Sequence, residues 1–477
     1  MTEIWAREKK SPVNTRVSEI LLLLCGACLG IALALPEARY LVVPVVLLFL
    51  VLAASAVLTD PQRSLWLVVS YVLVDYVLRK IGLLSGSWDE LTFVMIVGLW
   101  IVKMAWENRA SYRLTPLDMY LGAFLAICVF LLLMRSPDMS IAIKGLRAVV
   151  EYLFWFFVAS NVIKSGKQVR FLVTGFLVLA TLISLHGIYQ YIVGVPIDPK
   201  WIDQAESGIK TRVFSIIGSP NILGSFLILS IPITVSLFFA SRSWLKKLLY
   251  TGVLGLMGLC LLFTYSRGAW IALVLAMFYY GVVHNRKLLA LIVIASILAP
   301  IAVPSVGRRV TYLLSPEYVK SSQKGGRLVR WTKAINIVKK SPVVGVGLGR
   351  YGGAVATNAK IPGTFYVDNY YLKTLAEMGI LGLAAMLWLF LNCMRFGTNA
   401  YRRAEDPFLR DLGAGIMAGL LGLLIHNGVE NVFEVPMINS YFWFFLGMVG
   451  TFPLLRKTGQ ADSPVDGTAD DPAEIPA

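Results

Sequence analysis

Long apolar segments recur along almost the whole chain and restrict its possible folds more than any other feature. Up to about fourteen of them, each about 16 to 22 residues long, alternate with short polar or Gly- and Pro-containing breaks. Because an α-helix rises about 1.5 Å per residue, one such segment spans the roughly 30 Å hydrocarbon core of a bilayer. Charged residues make up only 15% of the chain, against about 25% in soluble proteins. The sequence therefore predicts an all-α, polytopic transmembrane helix bundle.

The expected number of helices follows from the count of these segments. The second to fifth are the least distinct, because a pair of helices there could be re-entrant, so we expect about 12 to 14 helices. The predicted spans are 20–35, 40–58, 65–81, 91–106, 117–134, 149–163, 171–193, 222–240, 248–265, 269–283, 288–303, 370–394, 412–426 and 441–455.

The net charge of +16 follows the membrane topology and does not indicate a nucleic-acid partner. Lys and Arg fall in short clusters between apolar segments, and they favour one membrane side by roughly two to one, as the positive-inside rule requires. This bias predicts cytoplasmic termini and an extracytoplasmic loop over about 305–369. It divides the chain into a cytoplasmic segment 1–19, a transmembrane domain 20–455 and an acidic, Pro-rich tail 456–477, which we expect to be disordered.

The long loop is expected to contain short helices, one of which is amphipathic. In GGRLVRWTKAINIVKKSP, the residues Leu328, Trp331, Ile335 and Val338 fall near helical spacing, and Pro342 ends the pattern. Such a helix can lie along the membrane surface. The following run GVGLG lacks the third glycine of a dinucleotide fingerprint and the Lys-Ser/Thr of a P-loop, so it predicts a tight turn.

Four polar segments fall on the same predicted membrane face, and two of them contain arginines. Arg267 lies in a tight connection between two apolar helices, and Arg212 shortly precedes another helix. Two guanidinium groups on one face can clamp a diphosphate, whereas a lone interfacial Arg can simply extend to lipid head groups. The segments are TRVFSIIGSPN (211–221), YSRGAW (265–270), YVDNYYLKTLAEMGILG (366–382) and IHNGVENVFE (425–434).

Two carboxylates in the third segment are the candidate catalytic groups. Asp368 precedes a predicted helix, where it can be an N-cap or a general base, and Glu377 lies about two and a half turns further on. A carboxylate buried near the interface is suited to proton transfer.

The spacing of His426, Glu430 and Glu434 at i, i+4 and i+8 could hold a metal, although pairing of the acids with Arg212, Arg267 or Arg327 is favoured. We therefore predict no metal site. The cysteines of LLLLCGACLG are interpreted as small packing residues of a helix, because no second cysteine pair accompanies them.

Four motifs in order resemble the O-antigen ligase and Wzy-type polymerase family of bacterial membrane enzymes. They span about 212–383 and read RVFSIIGSPNILGSFL, TYSRGAWIAL, GRLVRWTKAINIVKKSPVVGVGLGRY and DNYYLKTLAEMGILGL. The resemblance implies a metal-independent, inverting glycosyltransferase without a cofactor. Its donor would be an oligosaccharide on undecaprenyl diphosphate, and its acceptor a sugar hydroxyl of a glycan or glycolipid. It would lie in the bacterial inner membrane.

The resemblance also assigns roles to residues of this chain. Arg212 and Arg267 match the family's diphosphate-binding arginines, and Arg327 is a third predicted diphosphate-binding residue. Asp368 stands where ligases have a His, and Glu377 matches a recurrent acid. The Asp favours a polymerase, or a transferase to another envelope or exopolysaccharide acceptor, over lipopolysaccharide ligation. The alternative function is a transporter or flippase of a lipid-linked or anionic solute, although no internal repeat is evident.

Overall fold

A computed structural model describes residues 64–81, 112–196, 211–302, 304–313, 315–324 and 326–455, with positions 90, 98, 198 and 201. Within these ranges the regular structure is helical and contains no strand, so the all-α prediction is confirmed for this part of the chain. The predicted spans 20–35, 40–58 and 91–106 lie outside the described residues, apart from position 98.

The described helices are numbered here in chain order. They are α1 Ser64–Val69, α2 Tyr71–Ile81, α3 Asp118–Met134, α4 Met139–Val150, α5 Phe154–Val162, α6 Gly166–Val193, α7 Pro220–Ala240, α8 Trp244–Phe263, α9 Arg267–Val283, α10 Lys287–Ala302, α11 Pro304–Leu313, α12 Pro316–Lys324, α13 Arg327–Lys340, α14 Ala354–Asn358, α15 Tyr370–Arg402, α16 Pro407–His426 and α17 Pro436–Thr451.

Six described helices are long and apolar enough to cross a membrane. They are α6, α7, α8, α15, α16 and α17 with the turn that extends it to Leu454. Each overlaps one of the predicted spans, although spans 248–265 and 441–455 extend slightly past the ends of α8 and of the α17 turn. The shorter apolar helices α3, α9 and α10 match three further predictions. Together they make this a multi-pass helical membrane protein.

Two predicted spans are not continuous helices. Span 65–81 is divided at Ser70 into α1 and α2, and the Ser70 hydroxyl donates to the Trp66 carbonyl at 2.7 Å. In span 149–163, a short 3-10 turn at Glu151–Leu153 precedes α5, which has only 9 residues. Both segments are apolar enough to suggest one span, but local side-chain and turn geometry ends the helix early.

The centre of the bundle is the contact between α7 and α16, and glycines make it possible. A Cβ on Gly415 would come within 2.6 Å of the Pro232 carbonyl, and one on Gly419 within 2.9 Å of the Leu229 carbonyl. Small residues let two membrane helices approach closely, which maximises van der Waals contact where no water is expelled. Helix α9 packs on the same helix α16.

Helix α15 is broken near its start by Gly379, whose φ of 64° is not helical. The residues after α13 form hydrogen bonds with the backbone groups of α15 that the break leaves without helical partners. Ile380 N donates to the Pro342 carbonyl at 2.9 Å, and Gly347 N donates to the Glu377 carbonyl at 2.9 Å. The break therefore leaves these backbone groups paired, as a low-dielectric surrounding requires.

The long loop contains short helices, as predicted. It contains α11, α12 and α14 besides the predicted helix α13, which ends at Lys340 just before Pro342. Trp331 and Val338 pack around the buried Ala334, as their spacing indicated, but Leu328 and Ile335 are exposed. The predicted apolar face was therefore partly wrong, because Ala334, a small residue, lies at its centre. The glycines at 345, 347 and 349 all have positive φ, which confirms the tight turn.

Close packing at Gly415 predicts a stability effect. In Gly415→Ala the new methyl would meet Ser236 and the Pro232 backbone, so α7 and α16 must separate. We expect a loss of about 1 to 3 kcal/mol in unfolding free energy, measured as a lower thermal unfolding midpoint in detergent. Gly252→Ala is the matched control, because a Cβ there has open space. Equal midpoints for the two variants would contradict this packing.

Candidate active site

The four polar segments singled out in the sequence meet at one end of the bundle. Arg212 of the first segment donates to Asn221 in α7 and to the carbonyl of Thr264, the residue directly before the second segment. Gly268 of the second segment packs against His426 and Val429 of the fourth. Asn221 donates to Glu430, and Tyr370 N donates to the Asn427 carbonyl at 2.8 Å. These contacts connect all four segments.

Arg212 is buried and anchors its own segment. Its Nε donates to the Thr264 carbonyl at 2.9 Å, its Nη1 to the Trp201 carbonyl at 2.8 Å and its Nη2 to Asn221 Oδ1 at 3.1 Å. The segment is also held by Gln190, whose Oε1 accepts from Ser215 N at 2.8 Å. Arg212 thus fixes the connection before α7, and a role in diphosphate binding remains a prediction.

Arg267 is the first residue of α9, as its position between two apolar segments suggested. Its guanidinium carbon lies 5.4 Å from the ring centre of Tyr312 and 5.1 Å from that of Tyr318. Its Nη1 is buried and has no hydrogen-bond acceptor among the described residues. Helices α11 and α12 therefore cover this arginine with aromatic rings, which attract a cation without using its hydrogen-bond donors.

Arg327 begins α13 and contributes positive charge to the same region. It is close enough to Glu430 for its charge to lower the pKa of that carboxyl. Its Nε is buried without an acceptor among the residues that the structure describes. Arg267 and Arg327 thus each have a buried donor nitrogen that could donate a hydrogen bond to a bound anion.

Asp368 lies just before α15, but it is not the N-cap. The cap is Asn369, whose Oδ1 accepts from Leu372 N at 3.0 Å. Asp368 has a positive φ of 53°, which turns its side chain toward α13, and its Oδ2 accepts from Arg330 Nη1 at 2.6 Å. The sequence could not choose between two adjacent capping residues, because both types cap helices well.

Glu377 is buried in a network of charges rather than beside the arginines. Its Oε2 lies 2.8 Å from Lys373 Nζ, and its Oε1 accepts from Tyr351 N at 3.0 Å. Lys373 Nζ also lies 3.2 Å from Glu434 Oε1, and Glu434 Oε2 accepts from Ala354 N at 3.1 Å. We call Lys373, Glu377 and Glu434 the buried triad. It joins α15 to the loop before α14 and to the turn before α17.

His426, Glu430 and Glu434 do not share a helix face. Helix α16 ends at His426, so the assumed helical spacing does not continue. His426 Nδ1 lies 2.8 Å from Ser225 Oγ, whereas Glu434 belongs to the buried triad. The described residues contain no group of three or more His, Cys, Asp or Glu side chains that could hold a metal. The expected pairing of the acids with arginines is not what the structure shows: Arg327 acts on Glu430 through its charge without a close ion pair, and Glu434 pairs with Lys373.

Sequence reasoning missed several residues of this region. Asn221 connects Arg212 to Glu430 through its two amide atoms, and Lys373 compensates two buried carboxylates. Asn221 lay inside a quoted motif, and Lys373 stands four residues before Glu377, which is the helical spacing of an ion pair. Tyr312 and Tyr318 lie in helices that the pattern did not reveal.

Glu430 is a further carboxylate of this region, and its surroundings shift its pKa. Burial raises the pKa of Glu430 to about 6, and the nearby charge of Asp368 acts in the same direction. Arg327 and the amide of Asn221 oppose this shift. The site therefore combines arginines with a carboxyl group that titrates near neutral pH, and such a combination can bind an anionic group and exchange a proton.

Part of this site lies in a region that matches a known protein family. Residues 252–387 match the family described as O-antigen ligase. The predicted resemblance to this family is confirmed. The matched range includes Arg267, Arg327, Asp368 and Glu377, whereas Arg212 precedes it.

One relative of known role is similar over most of the chain. It is the exopolysaccharide production protein ExoQ of Rhizobium meliloti strain 1021, which is 24% identical over 407 residues. The alignment covers 80% of this chain and 85% of that protein. Together with the O-antigen ligase match, it supports a function in glycan assembly at a membrane and a glycosyltransferase type of enzyme.

The buried triad predicts a large stability effect of Lys373. In Lys373→Met two buried carboxylates lose their cation, so we expect a loss of about 3 to 5 kcal/mol in unfolding free energy. Thermal unfolding in detergent measures it. Lys339→Met is the control, because Lys339 is exposed on α13. A Lys373 variant as stable as this control would contradict the role given to the triad.

Proposed function

We propose that the protein transfers or polymerises undecaprenyl-diphosphate-linked oligosaccharides onto a sugar hydroxyl. The reaction takes place at the outer face of the cytoplasmic membrane, and its product is a cell-envelope glycan or an exopolysaccharide. One observation carries the proposal. Arg267 and Arg327 each hold a buried nitrogen that has no acceptor among the described residues, and the charge of Arg327 acts on the Glu430 carboxylate, at one end of an apolar helix bundle.

The donor's chemistry fits this arrangement. A diphosphate offers several oxygen acceptors, and guanidinium groups bind such oxygens with charge-assisted hydrogen bonds. The polyprenyl chain is apolar and fits against exposed apolar side chains, which α6 has along much of its length. The arginines bind the diphosphate and stabilise the negative charge that it gains as the leaving group. Arg212, whose contacts fix the first segment, belongs to the same predicted group.

A carboxylate of the site activates the acceptor hydroxyl in this proposal. Asp368, at the position of the family's His, lies in the cluster beside Arg330 and Glu430. Glu377 is the second residue that the resemblance assigns, but both of its oxygens are engaged in the buried triad. The contacts therefore favour the Asp368 cluster over Glu377 as the place of proton transfer. The proposed transfer is inverting and uses no metal.

Replacement of Arg267 tests the diphosphate role. Arg267→Ala removes a guanidinium that would neutralise the leaving group, so we expect kcat to fall by about 100-fold to 1000-fold. Arg267→Lys keeps the charge but loses the forked donor geometry, and an intermediate rate is expected. The measurement is release of undecaprenyl diphosphate by purified protein in nanodiscs, supplied with lipid-linked oligosaccharides from its host.

The matched control is Arg403→Ala, because Arg403 is exposed at the far end of α15. It should retain the wild-type rate. If Arg267→Ala folds normally and keeps the wild-type rate as well, the diphosphate role of Arg267 is wrong.

A further inference from the structure

Glu430 lies in the turn between α16 and α17 and is held close to Asp368. Tyr370 N donates to the Asn427 carbonyl at 2.8 Å, and Asn369 N donates to Asn431 Oδ1 at 3.1 Å. These two bonds fasten the turn to the residues that directly follow Asp368. The opposite side of the turn packs on the start of α9, because a Cβ on Gly268 would come within 2.7 Å of Val429. The turn thus reaches both the Asp368 segment and the Arg267 segment.

The partner of Glu430 differs from those of the other two carboxylates. Asp368 pairs with Arg330 at 2.6 Å, and Glu377 pairs with Lys373 at 2.8 Å. Glu430 Oε2 instead accepts from the neutral amide of Asn221. Protonation of Asp368 or Glu377 would remove one charge of a close ion pair. Among the described residues Glu430 has no close ion pair that protonation would break, so it accepts a proton at lower electrostatic cost.

Asn221 has a defined part in this arrangement. Its Oδ1 accepts from Arg212 Nη2 at 3.1 Å, which leaves its Nδ2 hydrogens directed to Glu430. Because an amide has a donor end and an acceptor end, Arg212 fixes the orientation of Asn221. Asn221 therefore positions the Glu430 carboxylate relative to the segment that begins α7.

The charges that face Glu430 come from several elements. Negative charge on Asp368 disfavours ionisation of Glu430, and positive charge on Arg327 favours it. Among the described residues, the charged and titratable groups that act on Glu430 are Asp368 and Tyr366 before α15, Arg327 on α13 and Arg212 through Asn221. His426, which ends α16, and Arg267, which begins α9, flank the contact between Gly268 and Val429, the residue before Glu430. Burial and Asp368 raise the pKa of Glu430, and Arg327 lowers it. Glu430 is therefore mostly ionised at neutral pH, yet it is a stronger base than an exposed carboxylate.

We propose that Glu430 is the catalytic base that accepts the proton of the acceptor hydroxyl, with Asp368 and Asn221 as positioning residues. This inference rests on the proposed transferase function. The hydroxyl oxygen attacks the anomeric carbon of the donor and forms the new glycosidic bond. The bond from that carbon to the diphosphate oxygen breaks, and its electron pair leaves with the diphosphate. The hydroxyl proton passes to a Glu430 carboxylate oxygen.

The pH dependence of kcat tests this assignment. The base must be ionised, so the wild-type rate should rise about tenfold per pH unit below about 6 and level off above it. Glu430→Gln should lower kcat by about 100-fold or more and abolish this acid limb. Glu430→Asp keeps the base but retracts it, so we expect an intermediate rate that retains an acid limb.

The Asp368→Asn variant distinguishes whether Asp368 or Glu430 is the base. If Glu430 is the base, removal of the Asp368 charge lowers the pKa of Glu430, and the acid limb should move to lower pH while a measurable rate remains. If Asp368 is the base, this variant should lose the rate and Glu430→Gln should retain it. Glu405→Gln, exposed on the connection between α15 and α16, is the matched control for the amide substitution and should behave as wild type.

The assay is release of undecaprenyl diphosphate from host lipid-linked oligosaccharides in nanodiscs between pH 5 and about 8, with thermal unfolding as the folding control. A folded Glu430→Gln protein with the wild-type rate and acid limb overturns the role of Glu430 and leaves the transferase function standing. A folded wild-type protein that releases no product with a competent acceptor overturns the transferase function itself.

Discussion

The break in α15 at Gly379 is the constraint on which the site depends. A helix of 33 residues is far longer than a bilayer needs, and the positive φ of Gly379 divides it into two parts. The break leaves backbone groups that must be paired in an apolar surrounding. The segment after α13 pairs them, through bonds such as Leu381 N to the Val343 carbonyl and Val346 N to the Ala376 carbonyl. The long loop is thereby fixed to the membrane domain.

The first part of α15 is consequently free to follow the loop rather than the bundle axis. It contributes Lys373 and Glu377 to the buried triad. The contact of Lys373 with Glu434 attaches this part of the helix to the turn before α17. Asp368 then lies between α13 and the turn that contains Glu430. The buried triad and the partly exposed Asp368 both follow from this geometry. One set of charges stabilises the fold, and the other remains able to bind an anion and accept a proton.

The sequence predicted the helical class, most of the described spans and the meeting of four polar segments at one end. These predictions rest on the length of each apolar segment and on the membrane side to which each connection is assigned. Both can be read from one segment at a time. It could not distinguish Asp368 from Asn369 as a cap, nor a catalytic from an ion-paired Glu377. Those distinctions depend on residues distant in sequence, such as Arg330 and Tyr351. The predicted span 412–426 ends at His426, as α16 does, and Asn427-Gly428 is a local signal for that end. The i, i+4, i+8 spacing of His426, Glu430 and Glu434 therefore had no structural meaning beyond it.

The central claim is that this site breaks the bond between a glycan and a lipid diphosphate instead of moving the intact lipid across the membrane. The most direct measurement places purified protein in sealed vesicles with the host's lipid-linked oligosaccharide and an acceptor glycan. Mass spectrometry then follows the lipid and the glycan, and the leaflet of the intact donor is determined separately. We expect undecaprenyl diphosphate and newly linked glycan to appear in equal amounts as the donor disappears. Intact donor that changes leaflet without release of undecaprenyl diphosphate would contradict the account and indicate a flippase.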